Sequence, residues 1–427
     1  MVIQQNTQVK FWGWGKPNEQ IRIIASWSSD TLKIKVGNQA YWEIATTTPK
    51  AGGPYQINFQ GYNQILLNNV MLGEVWLCSG QSNMEWSANS GIDNGKEEIA
   101  KADNPNIRLF SAHHRTANTP QVDLEGNWVE STPETMRSFS AIAYFFAKKI
   151  NEETGVPIGM INSSWGGTPA EIWMPADVIE NNEYLLGASK KLRAAPWGPH
   201  EPGRAYNTMI APLRNFKIAG ALWYQGEGNA ANAMEYKDMF STLITSWREQ
   251  WGYEFPFYYV QIAPYKYGEG NRGTLVRDAQ RRTLEVPNTG MVVVSDIGNT
   301  QNIHPSNKID IGYRMANLAL SNYYKTTDVV SSGPLYKGRE IEKAKVRVLF
   351  DNAVGLNVKG KEITHFEIAG ENKIYYPAKA KIDGSSVVVQ AKEVKNPAFV
   401  RFAWDNVAEP NLFNSAGLPT SCFTSEN

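Results

Sequence analysis

Short runs in which apolar and polar residues alternate fill the first seventy positions: VKFWGWG, QIRIIASW, TLKIKVG, AYWEIATT, YQINFQG and QILLNNVML. A period of two puts every second side chain on one face, so each run predicts a half-buried strand, and the Gly, Pro and Asn between them predict turns. Residues 1–70 are therefore expected to form a β-sandwich-like module of six short strands. The same rhythm returns near the other end in KAKVRVLFD, GLNVKG, THFEIAG, KIYYPAKAKID, SSVVVQA and AFVRFAWD, which predicts a second such module over 329–427.

Between them the rhythm changes. EVWLC (74–78), IRLF (107–110), VPIGMI (156–161), IAGALWY (218–224), FYYVQIA (257–263) and GMVVVS (290–295) are apolar without alternation, as strands covered on both faces are. Helical patterns separate them. SAIAYFFAKKINEETG, AMEYKDMFSTLITSWREQWG and NKIDIGYRMANLALSNYY place apolar residues at i, i+3, i+4 and i+7, and Gly155 and Gly252 stop the first two. Strands alternating with helices imply a mostly parallel sheet covered on both faces, an α/β three-layer domain over 71–328.

Composition narrows the chemistry. Lys plus Arg and Asp plus Glu each number 42, so the chain has no overall basic field for nucleic acid or an anionic membrane. No apolar run approaches the ~18 residues that span a bilayer, so membrane insertion is not expected. The opening MVIQQNTQVKFWGWG has neither the basic nor the apolar part of a signal peptide. Two cysteines, Cys78 and Cys422, exclude a disulfide framework or a Cys-rich metal site and leave a single bridge open. Imidazole chemistry has five candidates: His113, His114, His200, His304 and His365.

In an open parallel sheet, ligands bind beyond the carboxyl ends of the strands. Those ends carry Ser79-Gly80-Gln81-Ser82-Asn83-Met84-Glu85-Trp86, Asn162 through Trp173, Gln225-Gly226-Glu227-Gly228-Asn229, and Asp296-Ile297-Gly298 followed by Asn302-Ile303-His304-Pro305. Ser82 sits on the turn from a strand into a helix, where its hydroxyl is presented and helix N–H groups face an oxyanion. Taken alone, a serine there is more often an N-cap. Met84 speaks against the G-x-S-x-G elbow of α/β-hydrolases. A serine needs a base, and His304 reads as the only histidine at a strand end, the other four as solvent-facing loop residues. Gly166 and Gly167 let a substrate approach the backbone, and the Asn229 amide offers another donor, so these join the Ser82 N–H as oxyanion-hole candidates. Glu227, between two glycines, must be solvated or hydrogen-bonded. Gln81, Gln225, Glu171 and Asp296 line the same edge.

The segments VWLCSGQSNMEW, SSWGGTPAEIWMP, WYQGEGNA and DIGNTQNIHPSNK, in that order, resemble the sialate O-acetylesterase family of carbohydrate esterases, within the SGNH (GDSL-like) hydrolase superfamily. QVKFWGWGKPNEQIRI and the segments FEIAGENKIYYPAKAKIDG and VRFAWDNVAEPNLFNSAGLPTSCF are similar to that family's flanking β modules. The resemblance implies Ser82 as nucleophile, His304 as general base, and Gly166 or Gly167 with Asn229 as oxyanion donors. It departs at one place. The superfamily usually has Asp three residues before the histidine, and here Gln301 stands there with Asn302 next, leaving Asp296, Glu227, an amide or a backbone carbonyl to orient His304.

The expected function is two-step removal of O-acetyl groups from a sugar, with 9-O-acetyl sialic acid implied by the resemblance and acetylated xylan or another glycan as the alternative. Neither metal nor organic cofactor is called for. Trp86, Trp165 and Trp173 are candidates to stack on a sugar, although aromatics near a sheet edge are more often core. The rivals are a glycoside hydrolase using two of Glu171, Glu227 and Asp296, and a non-catalytic glycan-binding protein. A glycan substrate suggests a periplasmic or secreted location; oligomeric state is not legible.

Overall fold

The structure is a computed structural model that describes residues 1–326 and 329–426. Six strands come first: β1 (Val2–Gln4), β2 (Gln8–Trp14), β3 (Gln20–Ala25), β4 (Thr31–Lys35), β5 (Tyr41–Thr47) and β6 (Gly52–Gln60). Burial alternates along them as the sequence does, with Val9 and Phe11 of β2 and Ile21 and Ile23 of β3 turned into a core shared with Trp42, Ile57 and Val70. β1 is absent from the sequence pattern; it is short and pairs in parallel with Met71–Gly73.

QILLNNVML and EVWLC, two strands by their sequence pattern, are one: β7 (Gln64–Gly80). Its first half is largely exposed, and every residue from Val70 to Gly80 is buried. Gly73 between them is no turn. It marks a close approach, because a β-carbon there would overlap the Pro157 carbonyl. The expected boundary at 70/71 therefore falls inside a continuous strand, while the one at 328/329 touches residues outside those described.

β8 (Asn104–Ser111), β9 (Trp128–Ser131), β10 (Ile158–Ser164), β11 (Gly220–Tyr224), β12 (Phe257–Val260) and β13 (Thr289–Val292) complete the central sheet in the order β13-β12-β11-β7-β10-β8-β9. All neighbours are parallel except the edge strand β9, which makes the sheet mixed. Both faces are covered. Tyr258 stacks near Trp76 on one face, where the helices Ala141–Thr154 and Lys308–Asn322 pack; its neighbours Phe257 and Tyr259 meet Phe240 of the Tyr236–Trp251 helix on the other. Gly155 and Gly252, at φ 69 and 73, end two of these helices in the left-handed conformation that the sequence predicts.

The C-terminal residues form two four-stranded sheets around a separate core that includes Val346, Phe366, Val387, Val400 and Phe423. Leu335–Glu342 is a strand that the sequence does not reveal; its half-exposed LYKGREIE has no alternation, and pairing with Lys345–Asp351 holds it. Asn406 docks this unit on the central one, accepting from Gly273 N at 2.9 Å and Thr274 N at 3.3 Å at the start of the Arg272–Arg282 helix. Cys78 and Cys422 are both free and buried, so no bridge links them. Among the described residues no helix is long and apolar enough to cross a membrane.

Candidate active site

Register brings the site together. Gly80 of β7 lies between Ser164 of β10 and Tyr224 of β11, so the segments that follow these three strands start at one height on the carboxyl edge. Gly80 has φ 131, and Gln81 turns the chain by donating its N–H to the Tyr224 carbonyl at 3.0 Å. The Gln81 side chain accepts the Gly228 N–H at 3.0 Å, pinning the segment after β11 to the turn. Ser82 then opens a single helical turn, Ser82–Glu85, at whose amino end its own N–H makes no hydrogen bond within the protein among the described residues.

Ser82 Oγ and His304 Nε2 stand 2.9 Å apart, although 222 positions separate them in the chain. His304 lies in the loop before the Lys308–Asn322 helix, where its N–H donates to Asn302 Oδ1 at 2.9 Å and its ring stacks on Trp86 at 4.2 Å between centroids. Burial, and behind it the nearby Lys308 charge, hold its pKa below the ordinary imidazole value. The imidazole is thus kept neutral, the form that accepts a proton.

The acids considered for orienting His304 are engaged elsewhere. Asp296 is locked in a two-pronged pair with Arg314 at 2.8 and 2.7 Å. Glu227 is buried and accepts from Asn83 Nδ2 at 2.7 Å. Gln301 is exposed with its carbonyl toward Lys266, and Asn302 serves the His304 backbone, not its ring. His304 Nδ1 makes no hydrogen bond among the described residues, and the stacked Trp86 ring fixes the imidazole plane.

Of the oxyanion candidates, Asn229 is spent and Gly166 is engaged by a carboxylate. Asn229 is fully buried, and its amide is spent in a polar knot: Nδ2 donates to Glu171 Oε2 at 2.8 Å and Asn232 Oδ1 at 3.0 Å, while Oδ1 accepts from Ala170 N and Gln225 Nε2. With every amide group matched, Asn229 has no hydrogen left for an oxyanion. Glu171 and Gln225 belong to the same knot, which ties the segment after β10 to the one after β11. Gly166 faces the site, so close that a β-carbon added to it would stand 3.4 Å from Ser82 Cβ, but its N–H donates to Glu85 Oε2 at 2.7 Å. Gly167 follows at φ 72 beside Trp197.

Sequence reasoning misses two residues at this edge. His114 reads as a solvent-facing loop residue, yet β8 runs on to Ser111, so His114 too lies just beyond a strand end. Its Nε2 is 2.9 Å from the Ser164 carbonyl and 3.1 Å from Glu85 Oε1, its ring lies flat on Trp165 at 4.4 Å, and its hydrogen bond with Glu85 raises its pKa. Lys308 is the other: fully buried, it sits on the apolar stripe of its helix with Ile311, Gly312 and Met315. A lysine on a buried stripe is the signal that could have found it. Of the three tryptophans considered for sugar stacking, Trp173 is buried core, Trp86 covers His304, and one face of Trp165 carries His114.

The model of the sialic acid-specific acetylesterases, a carbohydrate esterase family, matches residues 72–321. The chain belongs to that family. This acetylesterase is 27% identical to the sialate O-acetylesterases of Rattus norvegicus and Homo sapiens over 86% of its length, covering 80% and 78% of theirs. A solved carbohydrate acetylesterase from Xanthomonas citri matches it with a TM-score of 0.91 at 35% identity, over 99% of this chain and 96% of that one. It is therefore a carboxylic ester hydrolase whose family chemistry is the removal of O-acetyl groups from sugars.

Proposed function

We propose that this esterase deacetylates a sugar, foremost 9-O-acetyl sialic acid, by acyl transfer through Ser82 and His304. The observation that carries the reading is the 2.9 Å contact between Ser82 Oγ and His304 Nε2 at the carboxyl edge of the sheet. His304 takes the Ser82 proton as Oγ bonds to the acetyl carbon; the C–O bond to the sugar then breaks and the sugar oxygen takes that proton. Water, deprotonated by the same imidazole, attacks the acetyl-serine; the bond from Oγ to the acetyl carbon breaks, Oγ takes the proton back from His304, and acetate leaves. The Ser82 N–H is the first oxyanion donor. The Gly166 N–H joins it when the oxyanion displaces the Glu85 carboxylate, and Gly167 is the adjoining alternative.

Acetylated xylan or another glycan is the second substrate reading, favoured by the higher identity to a carbohydrate acetylesterase, 35%, than to the sialate enzymes, 27%. The glycoside hydrolase reading is weakened because Glu171 and Glu227 are buried and hydrogen-bonded and Asp296 is paired with Arg314. On this reading residues 71–328 are the catalytic unit and 1–70 and 329–427 are β-sandwich-like modules flanking it. We also propose a periplasmic or secreted location, the one that suits a glycan substrate, which fractionation of a producing strain checks.

The test is hydrolysis of p-nitrophenyl acetate, together with acetate release from a 9-O-acetylated sialoside and from acetylated xylan, by wild type and Ser82→Ala. The variant is expected to lose roughly 10³-fold or more in kcat on all of them. Undiminished ester cleavage by Ser82→Ala overturns the nucleophile, and cleavage of glycosidic bonds without acetate release overturns the reaction class.

A further inference from the structure

A second hydrogen bond runs beside the catalytic one. Asn83 and Ile303 are the chain neighbours of Ser82 and His304, and Asn83 Nδ2 donates to the Ile303 carbonyl at 3.0 Å. The same nitrogen donates to Glu227 Oε1 at 2.7 Å. Both acceptors demand the NH₂ end of the amide, and a flipped Asn83 would turn its oxygen toward two oxygens. On the opposite side stands Lys308, whose Nζ is 2.6 Å from Asn83 Oδ1 and can only donate.

Lys308 and Asn83 are both fully buried. No carboxylate lies within ion-pair distance of Lys308 among the described residues; Glu227 reaches it through Asn83. The rings of Trp86 and Tyr224 flank Nζ at 5.7 and 5.8 Å, and Trp86 is the ring stacked on His304. Burying a lysine away from water is costly, so a site that keeps one without a direct counter-ion asks for a reason in function.

We propose that Lys308 is a positioning residue of the esterase: by fixing the Asn83 amide it tethers the Ile303-His304 segment to the Ser82 turn and so holds base and nucleophile in register. The proposal rests on the Ser82–His304 reading above. The electrostatics act in the same sense. Facing His304 are the Ser82 hydroxyl of the helical turn and Lys308 of the following helix, while Glu227 after β11 is turned to Asn83 and Glu85 to Gly166 and His114. Among these the Lys308 charge lowers the His304 pKa. Burial brings Lys308 itself down to about 7, against the pull of Glu227, so it is charged over the acid side of the rate profile. A neutral amine still donates to Oδ1, so the tether survives above that value.

Two variants separate this role from packing. Lys308→Met fills the space without a donor and leaves the buried Asn83 Oδ1 unpaired, a stability cost that the melting temperature reads separately from kcat. Asn83→Asp keeps a partner for Lys308 and removes the donor to Ile303. Both are assayed on p-nitrophenyl acetate beside wild type and Ser82→Ala, with kcat, KM, pH profile and melting temperature recorded. The expected result is a kcat loss of roughly 10- to 100-fold in each, from misplacement of His304, with KM within about twofold. In Lys308→Met the acid limb moves to higher pH, as loss of the neighbouring charge demands. A kcat within about twofold of wild type in either variant, or an unmoved acid limb in Lys308→Met, overturns the proposal. Activity surviving in Ser82→Ala overturns the underlying dyad instead, so the two failures are told apart.

Discussion

Replacing Gly80 by alanine tests whether the carboxyl end of β7 is built around the Ser82 turn. Gly80 has φ 131, a conformation that L side chains rarely adopt, and a β-carbon there would overlap the Tyr224 carbonyl that receives the Gln81 N–H. Forcing a non-glycine residue into such a conformation costs about 1–3 kcal/mol. Overpacking against a strand backbone that cannot rotate away adds about 1–3 kcal/mol more. At ~2–4 °C per kcal/mol for a unit of this size, Gly80→Ala is expected to lower the melting temperature by roughly 5–20 °C. Relief by pushing β11 away from β7 would also move Ser82, so kcat on p-nitrophenyl acetate should fall in the surviving folded protein, by about 10-fold or more. Thermal unfolding followed by circular dichroism, with kcat measured well below the transition, reads both effects. A variant that melts within about 2 °C of wild type and keeps its kcat would refute the argument that this turn leaves no room for a side chain.

Three further outcomes follow from the geometry. Because burial and Lys308 lower the pKa of His304 below 6.5, its neutral form must still exceed one half at pH 6.5, and kcat/KM there should be more than half its plateau; a half-loss at or above that pH contradicts the assignment of the base. Glu171→Ala strands the Asn229 and Asn232 donors in a buried site, which at about 1–3 kcal/mol per unsatisfied group should depress the melting temperature clearly while the shape of the pH–rate profile is kept. Gln301→Ala, by contrast, should leave kcat/KM within about twofold, since an exposed side chain facing Lys266 gives the imidazole nothing; a loss of the order seen when a triad acid is removed, about 10⁴, would show that Gln301 swings onto His304 in turnover.

The strands of the central sheet are legible because full burial leaves unbroken apolar runs, and EVWLC and IAGALWY appear where expected in β7 and β11. Ser82 and His304 are legible because chemistry in such a sheet gathers at strand ends. Asn229 misleads for a physical reason: an asparagine at a strand end can face the substrate or knot two loops together, and only the three-dimensional partners Glu171, Asn232 and Gln225 decide. Glu85 and His114 escape notice because their meeting depends on β8 and β7 lying on either side of β10, an order that periodicity does not encode. The boundary expected at residue 70 lies inside one continuous strand, whose two halves differ in burial and read as two runs, and Gly73 between them makes room for the neighbouring backbone.

The single strand from Gln64 to Gly80 has a consequence for anyone who would cut this enzyme into parts. Its outer half closes the amino-terminal core and its inner half delivers the serine, so the two regions share a girder and not a joint. Where it enters the central sheet, Glu74 takes amide hydrogens from Gln4 and Gln5, at 2.6 and 2.7 Å, and Val2 lies beside Met71. A chain begun at residue 71 would start with a buried carboxylate stripped of those donors and a central strand missing its flank. The amino-terminal region is thus a foundation that cannot be transplanted as a cassette. The carboxy-terminal one has its own core, yet it too is keyed to the central sheet, through Asn406 at the Arg272–Arg282 helix and the Gln261–Ser421 hydrogen bond at 2.9 Å.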